Sequence, residues 1–288
     1  MYNNRVNKTY SQRRNRMEKG ICCICGLYKN LTYEHIPPQG SGNSSNVKSY
    51  EINYINESNE EKLLENLDKH TFVNLIEGKK YKQHQRGFGI HGTCECCNNT
   101  IKAIYDKDYN NLTNWVLNLI QNNPELISEN SKSVRIQCPF EFIPIHFVKC
   151  VVSMFSVLYG KSLFEEHRDL RDFVMNHDSL EFNRERYKLY MYLLKSPVIY
   201  KCEPVATGNI STFEGREQFF GIINENIQCP LTLEFGAYPF GFVLDINNTI
   251  CRSELSDMSP WFTLNKYMDL EFCLNAFEKN SPVACQFE

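Results

Sequence analysis

Two pairs of cysteines with the same spacing, Cys22–Cys25 and Cys94–Cys97, constrain this 288-residue chain more than any other feature. A C-x-x-C pair on a tight knuckle presents two sulfurs to one ion. Two such knuckles supply the closed tetrahedron of a structural zinc site. Each pair adjoins glycine-containing turn sequence, Cys25-Gly26 and Gly92-Thr93-Cys94. Cys23 and Cys96 lie inside the pairs and compete as ligands. The long interval between the knuckles implies a sizeable insert. The 13 cysteines are odd in number and spread through a chain too large to need disulfide stapling. Cys138, Cys150, Cys202, Cys229, Cys251, Cys273 and Cys285 are isolated and read as structural or incidental. No thioredoxin-like βαβ pattern surrounds either pair, which argues against a redox role.

Hydrophobic residues make up 42% of the chain, enough for a real core. The longest apolar run, Phe147 to Tyr159, is interrupted by Lys149 and falls short of the ~20 residues a membrane span needs. The first residues, MYNNRVNKTYSQRRNR, lack an apolar signal-peptide core, so a cytoplasmic location and no membrane partner are expected.

The pattern predicts an α+β fold in two parts, residues 1–130 and 131–288, with the polar stretch Gln121–Ser133 around Pro124 as linker. GSGNSSN at 40–46 reads as a loop and ESNEEKLLENLDK at 57–69 as a short charged helix. Glu60–Lys79 looks like an insertion, and Gly87–His91 reads as extended. A helix is predicted from Asn98 toward Gln121, with a break near Tyr109–Leu112. In the second part, Pro144–Leu158, Leu163–Asn176 and Arg184–Leu194 read as helices. Gln218–Ile223, Pro230–Phe235 and Phe240–Ile246 read as strands.

Between and after the knuckles stand EHIPP at 34–38 and CECCNN at 94–99, following CCIC at 22–25. This order, over residues 20–110, resembles the HNH (ββα-metal) endonuclease family, and most closely its members with a four-cysteine zinc site. The resemblance implies a zinc-bound ββα-metal nuclease domain with His35 as general base. It implies that Glu34 and Asn98 ligate a catalytic divalent ion, Mg2+ or Mn2+. The chemistry agrees with those residue types. A neutral imidazole can take a proton from water, and a hard cation prefers carboxylate and amide oxygens. Adjacent residues of a strand face opposite ways, so Glu34 and His35 share a site only if the strand ends there; Pro37 and Pro38 favour such an end. Asn98 takes the family position, with Asn99 the alternative as a helix cap. The family's central asparagine has no match, and Gly87–His91 occupies its place. His91 reads as structural or as a phosphate-positioning group.

The formal net charge is −3, but residues 1–35 carry seven Lys/Arg against two Glu, whereas residues 131–288 carry 15 Lys/Arg against 20 Asp/Glu. Arg13, Arg14 and Arg16 are candidate phosphate contacts, with a solvated, partly disordered tail as the alternative; so are Lys79, Lys80, Lys82 and Arg86, with a solvated face as the alternative. Tyr105-Asp106-Lys107-Asp108-Tyr109 either stacks on bases or packs its tyrosines inward with charges outside. The expected function is endonucleolytic cleavage of DNA, with RNA left open. A regulated effector of bacterial antiviral defence fits the charge and architecture, the second part binding a protein partner or forming a homodimer. The rival is a non-catalytic zinc module binding nucleic acid or protein.

Overall fold

The computed structural model describes residues 18–50, 81–128, 133–195, 199–202, 212–213, 216–217, 231–246, 255–263 and 270–277. The expected helix at 57–69, the insertion at 60–79 and the strand at 218–223 lie outside these residues.

The region around the two cysteine pairs folds as a three-stranded antiparallel sheet in the order β1–β2–β5, built from β1 (Glu18–Ile21), β2 (Tyr28–His35) and β5 (Gly89–Cys94). A separate hairpin joins β3 (Val47–Tyr50) to β4 (Tyr81–His84). β5 leads into the second knuckle and then a π-helical turn, Cys97–Lys102, which continues as α1 (Ala103–Asn122). The predicted helix from Asn98 is therefore present, and the expected interruption at Tyr109–Leu112 is not. Tyr105 and Tyr109 are fully buried, so these tyrosines belong to the core. The aspartates beside them do not all face out. Asp108 accepts the Ile143 N–H at 3.0 Å and pairs with His146 at 2.9 Å.

The remaining elements are β6 (Ser133–Cys138), α2 (Pro144–Tyr159), α3 (Ser162–Glu166), α4 (Arg168–Met175), β7 (Tyr187–Leu194), β8 (Ile199–Cys202), β9 (Thr212–Phe213), β10 (Arg216–Glu217), β11 (Leu231–Ala237), β12 (Phe240–Ile246), β13 (Ser256–Asp257) and β14 (Leu270–Phe277). Seven of these strands form a larger sheet in the order β6–β14–β7–β12–β11–β8, with β13 also paired to β7, and β9 pairs with β10 separately. The expected helix over Leu163–Asn176 is two short helices that meet at His167. The expected helix over Arg184–Leu194 is corrected to the strand β7. Its residues Tyr187, Leu189, Met191 and Leu193 join the main core, while Tyr190, Tyr192 and Leu194 join a smaller cluster on the other face. A strand covered on both faces shows an almost continuous apolar run, and the alternation that marks a strand disappears.

Helix α2 explains how the halves meet. Fourteen of its 16 residues are buried, as expected of a helix that is apolar all round. Phe147 packs against Tyr109 of α1 and against Phe240 and Phe242 of β12, and Phe155 meets Phe235 of β11. One apolar cluster runs from Cys22 through α1 and α2 to Leu274, crossing the boundary expected near residue 130. Among the described residues, no helix is long and apolar enough to cross a membrane.

Candidate functional site: a four-cysteine centre and a histidine cleft

The sulfurs of Cys22, Cys25, Cys94 and Cys97 lie within 4.8 Å of one another, although 69 residues separate Cys25 from Cys94. The Cys25–Cys94 separation is 3.9 Å. Tetrahedral zinc with Zn–S near 2.3 Å requires an S···S edge of about 3.8 Å, so the donor set fits the ion. Local backbone builds the cradle. Gly26 adopts φ +74°, its N–H reaches the Cys22 carbonyl at 2.8 Å, and the Cys94 N–H donates to the Cys22 sulfur at 3.3 Å. The Cys97 thiol and nearby N–H groups pull the Cys22 thiol well below its usual range, while Cys97 itself is pushed up. Four crowded sulfurs can all be thiolates only around a cation. Cys23 and Cys96 are not in the cluster. The Cys23 N–H binds the Gly92 carbonyl at 2.8 Å, locking the first knuckle to β5, and Cys96 is exposed.

At the far end of β2, His35 faces a cleft of about 340 Å³ lined also by Tyr33, Gln39, Gln85 and Arg86. β2 ends at His35, as the prolines predict. Tyr33 and His35 share one face of the strand, and His91, directly opposite Tyr33 on β5, shares it too. The Tyr33 ring lies edge-on to both imidazoles, 5.2 Å from His35 and 5.3 Å from His91. His35 Nε2 lies 3.0 Å from the Arg86 carbonyl oxygen. A carbonyl only accepts, so Nε2 carries the proton and Nδ1 of the neutral ring is left as acceptor. Arg86 is held at φ +65°, an uncommon conformation for a residue with a side chain. The following Gly87, at φ +101°, tolerates no side chain: an added Cβ would sit 2.1 Å from the Asn43 carbonyl oxygen.

Asn43 is a residue that sequence reasoning missed. It is buried in the loop after β2, where its amide nitrogen donates to the Pro37 and Phe88 carbonyls at 2.7 and 2.8 Å. Its oxygen accepts the Phe88 N–H at 2.8 Å. One amide thus staples the His35 turn to the loop that supplies Arg86. Asn43→Ala would leave buried backbone groups unpaired, at about 1–3 kcal/mol each. We expect a melting temperature lower by several degrees, measured by calorimetry, with the four-cysteine centre still loaded.

Glu34 takes the opposite face from His35. Its carboxylate is buried, pairs through Oε1 with Lys102 and accepts from Thr93 Oγ1 at 3.3 Å. Asn98 lies on the same inner side and donates to Thr32 Oγ1 at 3.1 Å, whereas Asn99 is exposed. Burial opposes the Lys102 charge, but Glu34 and Asp106 outweigh it and hold the ammonium above the ordinary lysine range. An ammonium therefore already neutralises the carboxylate expected to bind a divalent ion. The residues as arranged do not fit a hard cation beside His35.

Of the expected phosphate contacts, Arg86 lines the cleft and Lys82 is exposed on β4. Arg13, Arg14, Arg16, Lys79 and Lys80 lie outside the described residues. Compared with known proteins, the chain matches no family model, no curated protein and no solved structure.

Proposed function

We propose that the His35 cleft cleaves phosphodiester bonds of a nucleic acid, on a scaffold fixed by zinc in the four-cysteine centre. The observation that supports this reading is the hydrogen bond from His35 Nε2 to the Arg86 carbonyl, which leaves Nδ1 as a proton acceptor at the cleft. The peptide that fixes the base belongs to a residue that itself lines the cleft, an exposed arginine. Gln39 and Gln85 add amide groups suited to phosphate or sugar oxygens. The base removes a proton from the attacking hydroxyl, and Arg86 offers a planar, always charged group to the phosphate oxygens. The DNA expected from the family resemblance and RNA are alike in this much of the chemistry. The role in antiviral defence and a partner bound through residues 131–288 belong to the same proposal and rest on the family resemblance and the charge distribution.

His35→Ala is expected to lower single-turnover cleavage by about 10²–10⁴-fold, the usual contribution of a general base. Zinc content, fold and nucleic-acid affinity should stay as in the wild type. Gel analysis of labelled RNA and DNA oligonucleotides reads the result. Equal cleavage by wild type and variant would leave the zinc-stabilised binding module as the better reading.

A further inference from the structure

The chemistry around His35 narrows the substrate. Among the described residues, the cleft lining of Tyr33, His35, Gln39, Gln85 and Arg86 holds no carboxylate. The nearest one in sequence, Glu34, is committed to Lys102 and Thr93 on the other side of the sheet. Among the described residues, the four cysteines are the one group of histidine, cysteine or acidic side chains arranged to hold a metal ion. A hard divalent ion needs oxygen ligands, mostly carboxylates, and the cleft offers amides, a phenol and a guanidinium. Hydroxide generation from metal-bound water is therefore poorly served here. What the face does offer is a second imidazole. His35 pairs with Gly89 and Tyr33 with His91, so His35 and His91 are diagonal neighbours on one face of an antiparallel pair, about 7–8 Å apart between backbones. His91 is exposed. His91 stands beside the cleft rather than in its lining, and the Tyr33 ring touches both imidazoles, so a phosphate that meets both histidines lies across Tyr33.

We propose that the cleft cleaves RNA by transesterification, with the ribose 2′-hydroxyl as nucleophile, His35 as base and His91 as acid. The inference rests on the nuclease reading of the cleft. His35 Nδ1 takes the 2′-hydroxyl proton, and the 2′-oxygen attacks the adjacent phosphorus. The P–O2′ bond forms as the P–O5′ bond breaks. The 5′-oxygen leaves with the bonding pair and takes a proton from the His91 imidazolium. The products are a 2′,3′-cyclic phosphate and a 5′-hydroxyl, and Arg86 faces the charge that builds on the non-bridging oxygens. An internal nucleophile needs no metal to generate it, because its proximity replaces a high concentration of hydroxide. DNA lacks that hydroxyl and is not a substrate for this route.

The test uses the full chain with three oligonucleotides of one sequence: RNA, DNA, and RNA with a single 2′-O-methyl ribose. Each is incubated with EDTA or with added Mg2+, and zinc retention is checked afterwards by metal analysis. The expected result is RNA cleavage in EDTA, cyclic phosphate ends by mass, no cut at the methylated position and intact DNA. His91→Ala is expected to be about 10²-fold slower or worse. RNA bearing a 5′-thio leaving group, which departs without a proton, should restore the rate of His91→Ala but not of His35→Ala; a merely structural histidine would not show that rescue. Cleavage that requires Mg2+, or cuts DNA as well, overturns the inference and leaves the nuclease reading standing. Cleavage of neither nucleic acid overturns both.

Discussion

Stripping the metal from the four-cysteine centre, or replacing Cys97 by serine, is expected to unfold the first half of the chain rather than weaken one activity. The knuckles are held together across 69 residues, and three of the four cysteines are buried. Without a cation, four crowded sulfurs compete for protons. Structural zinc in small domains binds with an apparent ~10–16 kcal/mol, more than a typical domain's whole stability of about 5–15 kcal/mol. Metal analysis should give one zinc per chain in the wild type. Cys97→Ser should show lost zinc and lost cooperative melting by circular dichroism. Cys96→Ser is the control, since Cys96 is exposed and outside the cluster, and should keep both. A zinc-free protein with the wild-type melting curve would refute this account.

Lys102→Met carries the second large expected effect. Lys102 and Glu34 are both buried, and the side chains of Asp106 and Cys150 share the same interior, where the Cys150 thiol donates to Asp106 at 3.3 Å. Removing the ammonium leaves a buried carboxylate uncompensated. Breaking such a pair from one side destabilises by about 3–5 kcal/mol. Replacing both partners with apolar groups is often close to neutral. We therefore expect Lys102→Met to lose about that much stability in denaturant titrations, and Lys102→Met with Glu34→Leu to recover most of it. If the double variant is no better than the single, the pair is not what sets the cost.

The knuckles were legible in the sequence because both halves of each are local, three residues apart. The end of β2 at His35 was legible through the prolines that stop the strand. The role of Glu34 was not, because its partner lies 68 residues away on the turn after the second knuckle. An acid next to a histidine reads as a shared site until the register puts them on opposite faces. Asn43 was hidden differently. It stands in GSGNSSN, a stretch whose composition says only loop, and nothing local marks which of its side chains turn inward. The strand β7 was read as a helix because its tyrosine-and-leucine-rich run is covered on both faces, which erases period-two polarity. The α+β class, the long helix after the second knuckle, the buried helix α2 and the strand β12 all follow from periodicity and turn residues, which require no distant partner.

The shared helix α2 has a consequence for how the protein is made. Cys97 leaves the ribosome well before Tyr159, the last residue of α2. At about 5–20 residues per second, the chain between them takes on the order of 3–12 s to synthesise. Through that interval the cysteine knuckles can already be closed while Tyr105, Tyr109, Leu112 and Val116 of α1 still wait for the helix that covers them. The nascent chain therefore passes through a stage in which a finished metal centre carries an unfinished, adhesive wall.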